Sequence, residues 1–255
     1  MDACDLHYKQ YGQDGPAVVI LHGLFGMLDN WQTFARRLAA RKRVYVPDLR
    51  NHGRSCHRDA MGYEEMAGDL AHFFDSRGLS SVYLLGHSMG GKLAMYFALL
   101  HPDRVGRLVV VDIAPRRYRA GHQEIFDALA ALDLRGSRSD IERALLTRIP
   151  DRRIVLFLLK NLRRAGREGF VWKMSLPALR AGYERINGWP DVAGQYDGPA
   201  LFVAGKRSGY IKSGDRELVR RYFPQAKWAE LDAGHWVHAE RPDELLALTD
   251  AFFAE

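Results

Sequence analysis

Ser88 carries the first recognisable chemistry in the chain. It stands in Gly86-His87-Ser88-Met89-Gly90, a G-x-S-x-G pattern. The pattern alone is modest evidence, and its surroundings give it weight. It follows the apolar run Val82–Leu85 and opens a helical pattern, Lys92–Leu100, the strand–turn–helix context that a nucleophile elbow requires. Such a turn strains the backbone at the serine and leaves no room for side chains two residues to either side, which accounts for both glycines. The plain structural reading is a glycine-rich strand–helix turn without chemistry.

A serine hydroxyl is a poor nucleophile until a base takes its proton. After an elbow of this kind the acid and then the histidine follow in chain order. His101, His122, His235 and His238 lie downstream. His101 closes the far end of the elbow helix, and His122 falls among later helical patterns. His235 follows Gly234 just after the strand-like run Lys227–Leu231, where loops converge at the carboxyl edge of a sheet. It is the candidate base; His238, three residues on, fits a packing role. As a metal pair, His235 and His238 lack a third ligand at suitable spacing.

The third group should be a carboxylate that orients the imidazole. The loop after Leu201–Ala204 reads Gly205-Lys206-Arg207-Ser208-Gly209-Tyr210 and holds no acid. One strand earlier, Leu108–Val111 runs straight into Asp112, which becomes the candidate acid. Ser208 is then placed to bond Asp112 or His235 and hold them; otherwise it is an ordinary loop serine. Asp215 comes too late and reads as a helix cap. A tetrahedral intermediate also needs hydrogen-bond donors for its oxyanion. The loop His22-Gly23-Leu24-Phe25-Gly26 follows the strand Ala17–Leu21, and the N–H groups of Leu24 and Met89 are the expected donors. His22 itself fits a role in bonding loop backbone.

The elements that must position these groups follow from the apolar pattern. Ala17–Leu21, Val44–Val46, Val82–Leu85, Leu108–Val111 and Leu201–Ala204 are short runs, several apolar on both faces, as strands of a covered parallel sheet are. Leu6–Tyr11 and Lys227–Leu231 read as further strands. Helical patterns at Trp31–Ala40, Tyr63–Arg77 and Met89–Leu100 fill the gaps, and Pro242–Phe253 closes the chain. Strand–helix alternation predicts an α/β fold with right-handed crossovers. The rhythm breaks between Pro115 and Pro199, where only helical patterns occur: Gln123–Leu132, Ser139–Arg148, Arg152–Arg164 and Val171–Ile186. These predict a core over 1–115 and 199–255, with a helical lid inserted at 116–198.

Composition sets limits on partners. With 255 residues, 47% hydrophobic, the chain is long enough to bury a large core. Its net charge of +6 is too small by itself to imply nucleic acid. The excess sits in the insertion, where residues 116–195 hold 16 Lys/Arg against 9 Asp/Glu. That surplus is either a solvated set of helix faces or a field drawing an anionic substrate to the site beneath. No apolar run can span a bilayer. The N-terminal MDACDLHYKQYG has no secretory pattern. Cys4 and Cys56 are too few for a disulfide framework, so a reduced, cytoplasmic setting is the simplest expectation. Composition leaves oligomeric state open.

Over its whole length the chain resembles the α/β-hydrolase superfamily. The marks are HGLFG at 22–26, PDLRNHGRS at 47–55, GHSMGGK at 86–92, DIAP at 112–115 and GHWVHAE at 234–240. Together with LFGMLDNW at 24–31, the wording is similar to a narrower group. That group is the bacterial esterases and acyl-CoA esterases related to mitochondrial abhydrolase-domain proteins. The resemblance implies an acid at the DIAP motif, in agreement with Asp112. It also implies a helical lid, no cofactor or metal, and short-to-medium acyl esters or thioesters as substrates. The leading expectation is a serine carboxylic-ester hydrolase. Acyl-CoA thioester hydrolysis, or lyase or carbon–carbon bond hydrolysis on the same fold, are the enzymatic alternatives. A non-catalytic receptor would not need nucleophile, acid and base in order. Aromatic residues of the insertion (Phe126, Phe157, Phe170, Trp172, Tyr183, Trp189) either line an acyl pocket or pack the lid helices together.

Overall fold

A computed structural model describes residues 3–166 and 169–255. Its centre is a seven-stranded sheet built from β1 (Tyr8–Tyr11), β2 (Ala17–Leu21), β3 (Arg43–Pro47), β4 (Val82–His87), β5 (Val105–Val111), β8 (Ala200–Gly205) and β9 (Ala226–Leu231), in the order β1-β3-β2-β4-β5-β8-β9. Only β1 runs antiparallel to its neighbour; all other pairs are parallel. The expected α/β fold with a mostly parallel, helix-flanked sheet is what the chain adopts.

Both faces of the sheet are covered, so its central strands are apolar on alternate sides and wholly buried. Val19, Leu21, Leu84, Leu108, Val110 and Phe202 point to the face covered by α2 (Tyr63–Ser76) and α3 (Met89–Leu100), where Phe73, Phe74, Leu93 and Phe97 meet them. Val18, Ile20, Leu85, Val109, Val111 and Val203 face α1 (Gln32–Leu38) and α11 (Pro242–Ala254), with Trp31, Phe34, Leu245 and Phe252. Helix α3 is buried all round from Met89 to Leu99, with Lys92 its one charged residue. Truncating Phe97 there to alanine removes a side chain with no solvent exposure, at a cost of about 3–5 kcal/mol.

The central strands end level with one another. Leu21 pairs with Gly86, His87 with Val111, Val111 with Val203 and Gly205 with Leu231. The residues after each strand therefore meet at one carboxyl edge, the place where open α/β sheets bind ligands.

Between β5 and β8 lie α4 (Gln123–Ala130), α5 (Arg138–Leu146), α6 (Arg152–Leu159), a two-stranded ribbon of β6 (Leu162–Arg164) and β7 (Phe170–Trp172), α7 (Leu176–Ala181) and α8 (Tyr183–Asn187). Helical patterns alone were expected over this stretch, and the structure differs at two of them. α6 stops at Leu159 rather than reaching Arg164. The Val171–Ile186 pattern starts as strand β7, where Phe170-Val171-Trp172 is aromatic and β-branched. Gly169 makes the ribbon possible: its φ is +109°, and a Cβ there would stand 2.3 Å from the Leu134 carbonyl oxygen. Pro177 then supports the restart as α7, near that helix's N-terminus, where a missing N–H costs nothing. The chain ends with α9 (Asp215–Tyr222), α10 (Val237–Glu240) and α11.

One expectation from composition is corrected. Cys4 and Cys56 are joined in a disulfide, 52 residues apart in sequence with Cα atoms 5.9 Å apart. The link fastens the N-terminal segment to the loop after β3. The Cys4 N–H also bonds Asp69, itself in a buried ion pair with Arg50. A cytoplasmic reading based on reduced cysteines loses that support.

Candidate active site

The elbow is built by the end of β4 and the start of α3. Ser88 lies between them at φ 53°, ψ −120°, a region that non-glycine residues rarely enter. Close packing enforces the turn. A Cβ on Gly86 would stand 2.2 Å from the Gly90 carbonyl oxygen, and one on Gly90 would stand 2.4 Å from that of Leu21. The Ser88 N–H donates to Val111 on the neighbouring strand, 3.1 Å away. The side chain is left half-buried at the positive end of α3.

Asp112 ends β5 in the same manner, at φ 52°, and has no solvent exposure. Its carboxylate is fully engaged. Oδ1 accepts the Gly205 N–H at 2.9 Å, while Oδ2 accepts from the Ser208 hydroxyl and from His235 Nδ1 at 2.7 Å. His235 Nε2 lies 3.0 Å from Ser88 Oγ. Because a carboxylate only accepts, Nδ1 must carry the imidazole proton, and Nε2 is left to receive one from Ser88. The structure thus brings Ser88, His235 and Asp112 into one hydrogen-bonded chain and sets Ser208 against the acid. Asp215 is elsewhere, paired with Arg116 at 2.8 Å.

Two further groups hold the imidazole or its loop, and sequence reasoning did not assign them. Tyr210 stacks flat on His235, ring centroids 3.8 Å apart and planes 14° apart. Its main-chain oxygen accepts from the Tyr118 hydroxyl at 2.8 Å, and its N–H donates to Ser208 Oγ at 3.2 Å. His87 Nε2 donates to the His235 carbonyl at 2.8 Å, and burial holds the His87 ring neutral by lowering its pKa well below the usual value. The only sequence signal for Tyr210 was its place two residues after Ser208, and for His87 its place inside the elbow.

The loop after β2 lies across from the elbow, with Gly23 so close to Ser88 that a Cβ there would meet the serine's own Cβ at 3.2 Å. The N–H of Met89, the first residue of α3, has no intrahelical acceptor. Among the described residues neither it nor the Leu24 N–H donates to the protein. Two buried histidines support this loop from behind. His22 Nε2 accepts the Leu49 N–H at 2.9 Å, and His52 Nε2 accepts the Phe25 N–H at 3.3 Å. Each ring's Nδ1 donates to a backbone carbonyl, Gly23 and Arg50 respectively. Burial lowers their pKa values to about 4 and about 3, so both are neutral acceptors at neutral pH.

The other histidines take no place in the chain. His238 stacks on Trp31 at 4.4 Å, and His122 bonds the Tyr183 hydroxyl at 2.8 Å. His101 caps the far end of α3. Among the described residues no group of three His, Cys, Asp or Glu side chains converges as a metal site.

A cavity of about 910 Å³ opens over Ser88, between the sheet edge and the α4–α8 segment. Of the six insertion aromatics, Phe157 and Tyr183 line it. Phe126 instead packs edge-on against Phe25 and Tyr183, and Trp189 against Tyr96 and Tyr222. Apolar walls come also from Leu24, Ile125, Ile154 and Leu158. The basic surplus reaches the rim as Arg119, joined there by Lys212. Both are exposed, and neither pairs with an acid among the described residues. Much of the remaining surplus is spent on ion pairs such as Arg117–Glu184 and Arg180–Asp127. Lys92, buried at the cavity wall, has its pKa pushed down to about 7 by burial and then by Arg116 and Arg117. Its ammonium donates to the carbonyls of Asn187 and Gly188, tying α3 to the end of α8.

Comparison with known proteins identifies the fold family and the kind of relatives. The family model for the alpha/beta hydrolase fold matches residues 16–242. A mouse protein named sn-1-specific diacylglycerol lipase ABHD11 is 37% identical over 94% of this chain and 81% of its own. Esterase YbfF of Escherichia coli strain K12 is 37% identical over 90% of this chain and 89% of its own. A solved structure described as a marine microorganism esterase superposes with a TM-score of 0.96. It is 38% identical and covers 98% of this chain and 100% of its own.

Proposed function

The chain belongs to the α/β-hydrolase fold family and is a hydrolase of the esterase/lipase type, and from that premise we propose that it is a serine carboxylic-ester hydrolase acting on short-to-medium acyl esters. The observation that carries this reading is the Ser88–His235–Asp112 hydrogen-bonded chain at the floor of a largely apolar cavity. Ser88 Oγ attacks the acyl carbon as His235 Nε2 takes its proton. Asp112 keeps the proton on Nδ1 and stabilises the imidazolium. The N–H groups of Leu24 and Met89 receive the developing oxyanion. The imidazolium then gives its proton to the departing alcohol. Water, deprotonated by the same imidazole, releases the acid from the acyl-enzyme. Ser208 and Tyr210 hold the acid and the base in register.

In this reading residues 1–115 and 199–255 form the catalytic core, and 116–198 form a lid over the acyl site. A cytoplasmic location belongs to the proposal, no longer supported by free thiols now that Cys4 and Cys56 are joined. Separately, among the described residues no helix is long and apolar enough to cross a membrane. A second substrate class, acyl-CoA thioesters, is favoured by one observation: Arg119 and Lys212 at the rim, unpaired among the described residues, suit the phosphates of coenzyme A. The test is Ser88→Ala together with a substrate panel. The panel comprises p-nitrophenyl esters and acyl-CoAs of graded chain length, and a diacylglycerol, which the mouse relative's name suggests. Loss of a triad nucleophile costs about 10⁴- to 10⁶-fold in turnover. If Ser88→Ala keeps more than a small part of the wild-type rate, the nucleophile has been misassigned.

A further inference from the structure

Phe25 is the neighbour of Leu24 in the loop across from the elbow, and it is held from three directions. Its φ is +59°, a left-handed conformation that a bulky residue adopts only when its surroundings impose it. From the core, His52 Nε2 accepts its N–H. From the segment after α6, Asn161 Nδ2 donates to its carbonyl oxygen at 2.8 Å. Its ring packs edge-on against Phe126 of α4, centroids 5.1 Å apart. Two of these three holds come from the segment between β5 and β8.

Asn161 is built for that contact. It has no solvent exposure, and its amide nitrogen reaches a second carbonyl, Leu158, at 3.3 Å. Both partners of Nδ2 are carbonyl oxygens, so the amide orientation follows from the acceptors. Its own carbonyl accepts the Lys173 N–H at 2.7 Å, which ties the end of α6 to the stretch after β7. Its Oδ1 is buried with no partner among the described residues, a cost that the amide bears in order to present Nδ2 to Phe25.

We propose that Asn161 is a positioning residue for the oxyanion hole: it fixes the Phe25–Gly26 peptide, whose Gly26 N–H bonds the Gly23 carbonyl at 2.9 Å. That bond aims the Leu24 N–H, which belongs to the same peptide as the Gly23 carbonyl, so that docking of the lid and completion of the oxyanion hole are one event. The inference rests on the triad and oxyanion reading above. Its logic is electrostatic. A donor stabilises the transition state only if it already points at the place where charge develops, and a misplacement of about 1 Å costs about 10²-fold. The substrate's neutral carbonyl depends far less on that aim, so the loss should appear in turnover rather than in binding.

The experiment compares Asn161→Asp and Asn161→Ala with wild type. Rates are normalised to active sites titrated to completion with a fluorophosphonate, so that a misfolded fraction drops out. Asn161→Asp keeps the shape but sets a carboxylate oxygen against the Phe25 carbonyl. We expect kcat to fall about 10²-fold with KM changed less than about threefold. The affinity for an alkyl trifluoromethyl ketone, whose adduct with Ser88 carries an oxyanion, should fall by the same factor, while that for the matching methyl ketone should not move. If kcat and trifluoromethyl ketone affinity stay at wild-type values in both variants, or if the two ketones weaken equally, Asn161 is structural and the proposal is overturned. If wild type itself binds the two ketones alike, the oxyanion reading fails and takes this inference with it.

Discussion

The two regions that enclose Ser88 are made differently. On the sheet side Ser88 and Asp112 sit where buried strands end, their backbones held by the next strand, and His235 follows the edge strand β9 with its carbonyl held by His87. Ser88 N bonds Val111, Asp112 N bonds Val203, and the Asp112 carboxylate bonds the Gly205 N–H. On the other side, α4 to α8 are short helices joined by a small ribbon. Many of their polar contacts are exposed pairs, such as Arg143–Asp140 and Arg153–Asp151, which add little stability in water. The chemistry therefore rests on parts of the chain that cannot shift without breaking the core. The cavity walls rest on parts that are held by fewer buried contacts. Phe25 and Lys92 are where the two meet.

The contrast is broken most severely at His235. Replacing it with alanine should lower kcat/KM by about 10⁴-fold or more, whereas His238→Ala, which removes a ring packed on Trp31 and His87 but takes no proton from Ser88, should keep most of the rate. Steady-state kinetics on both variants decides this, and the reverse outcome would reassign the base. Asp112→Asn comes next. In serine proteases the equivalent change costs about 10⁴-fold by favouring the wrong tautomer, and a loss of at least about 10²-fold is expected here. Asp215→Asn, which breaks a pair with Arg116, should leave kcat nearly unchanged.

Acid should weaken the support of the loop through His22 and His52 and the sheet edge through His87, since burial lowers all three pKa values. His22 and His52 have folded pKa values of about 4 and about 3, below the ordinary 6.5 of an unfolded chain. The unfolded state therefore binds protons first as pH falls. Their stabilisation is complete above pH 6.5 and is lost below it, at up to about 1.4 kcal/mol per pH unit for each ring. Urea unfolding at pH 7 and pH 5 measures this directly, and an unchanged stability would mean that the rings are hydrated. A smaller effect is expected at Ser208. Its alanine variant removes one hydrogen bond to an acid that keeps two others, so kcat should drop about tenfold, the equivalent of about 1.4 kcal/mol. Smallest is the rim. If Arg119 and Lys212 recruit anionic substrates, kcat/KM for acyl-CoA should fall severalfold as salt is raised beyond 0.1 M, where charges are screened over about 10 Å, while neutral esters stay level. An equal response for both would leave those cations as solvated surface.

What was legible in the sequence follows the same division. Ser88 and Asp112 follow apolar runs, which periodicity finds, and His235 follows the strand-like run Lys227–Leu231 in chain order. Asp112 was found because the later loop had only Ser208 to offer. The roles of Tyr210, His52 and Asn161 come from contacts between segments far apart in sequence, which no local pattern encodes. The ribbon of β6 and β7 was read as helix because three-residue strands are too short to show alternation. The Cys4–Cys56 link spans 52 residues and could not be told from two separate thiols. The insertion aromatics could not be sorted into cavity wall and packing, because that depends on which face of each short helix meets the core.

The central claim is that Ser88 forms an acyl-enzyme with the help of His235. Its most direct test is peptide mass spectrometry of protein quenched in acid during turnover of a p-nitrophenyl ester, run in parallel on wild type, Ser88→Ala and His235→Ala. The account predicts the acyl mass on the Ser88 peptide of wild type alone. An adduct on another residue, or undiminished hydrolysis by Ser88→Ala with no adduct, would contradict it.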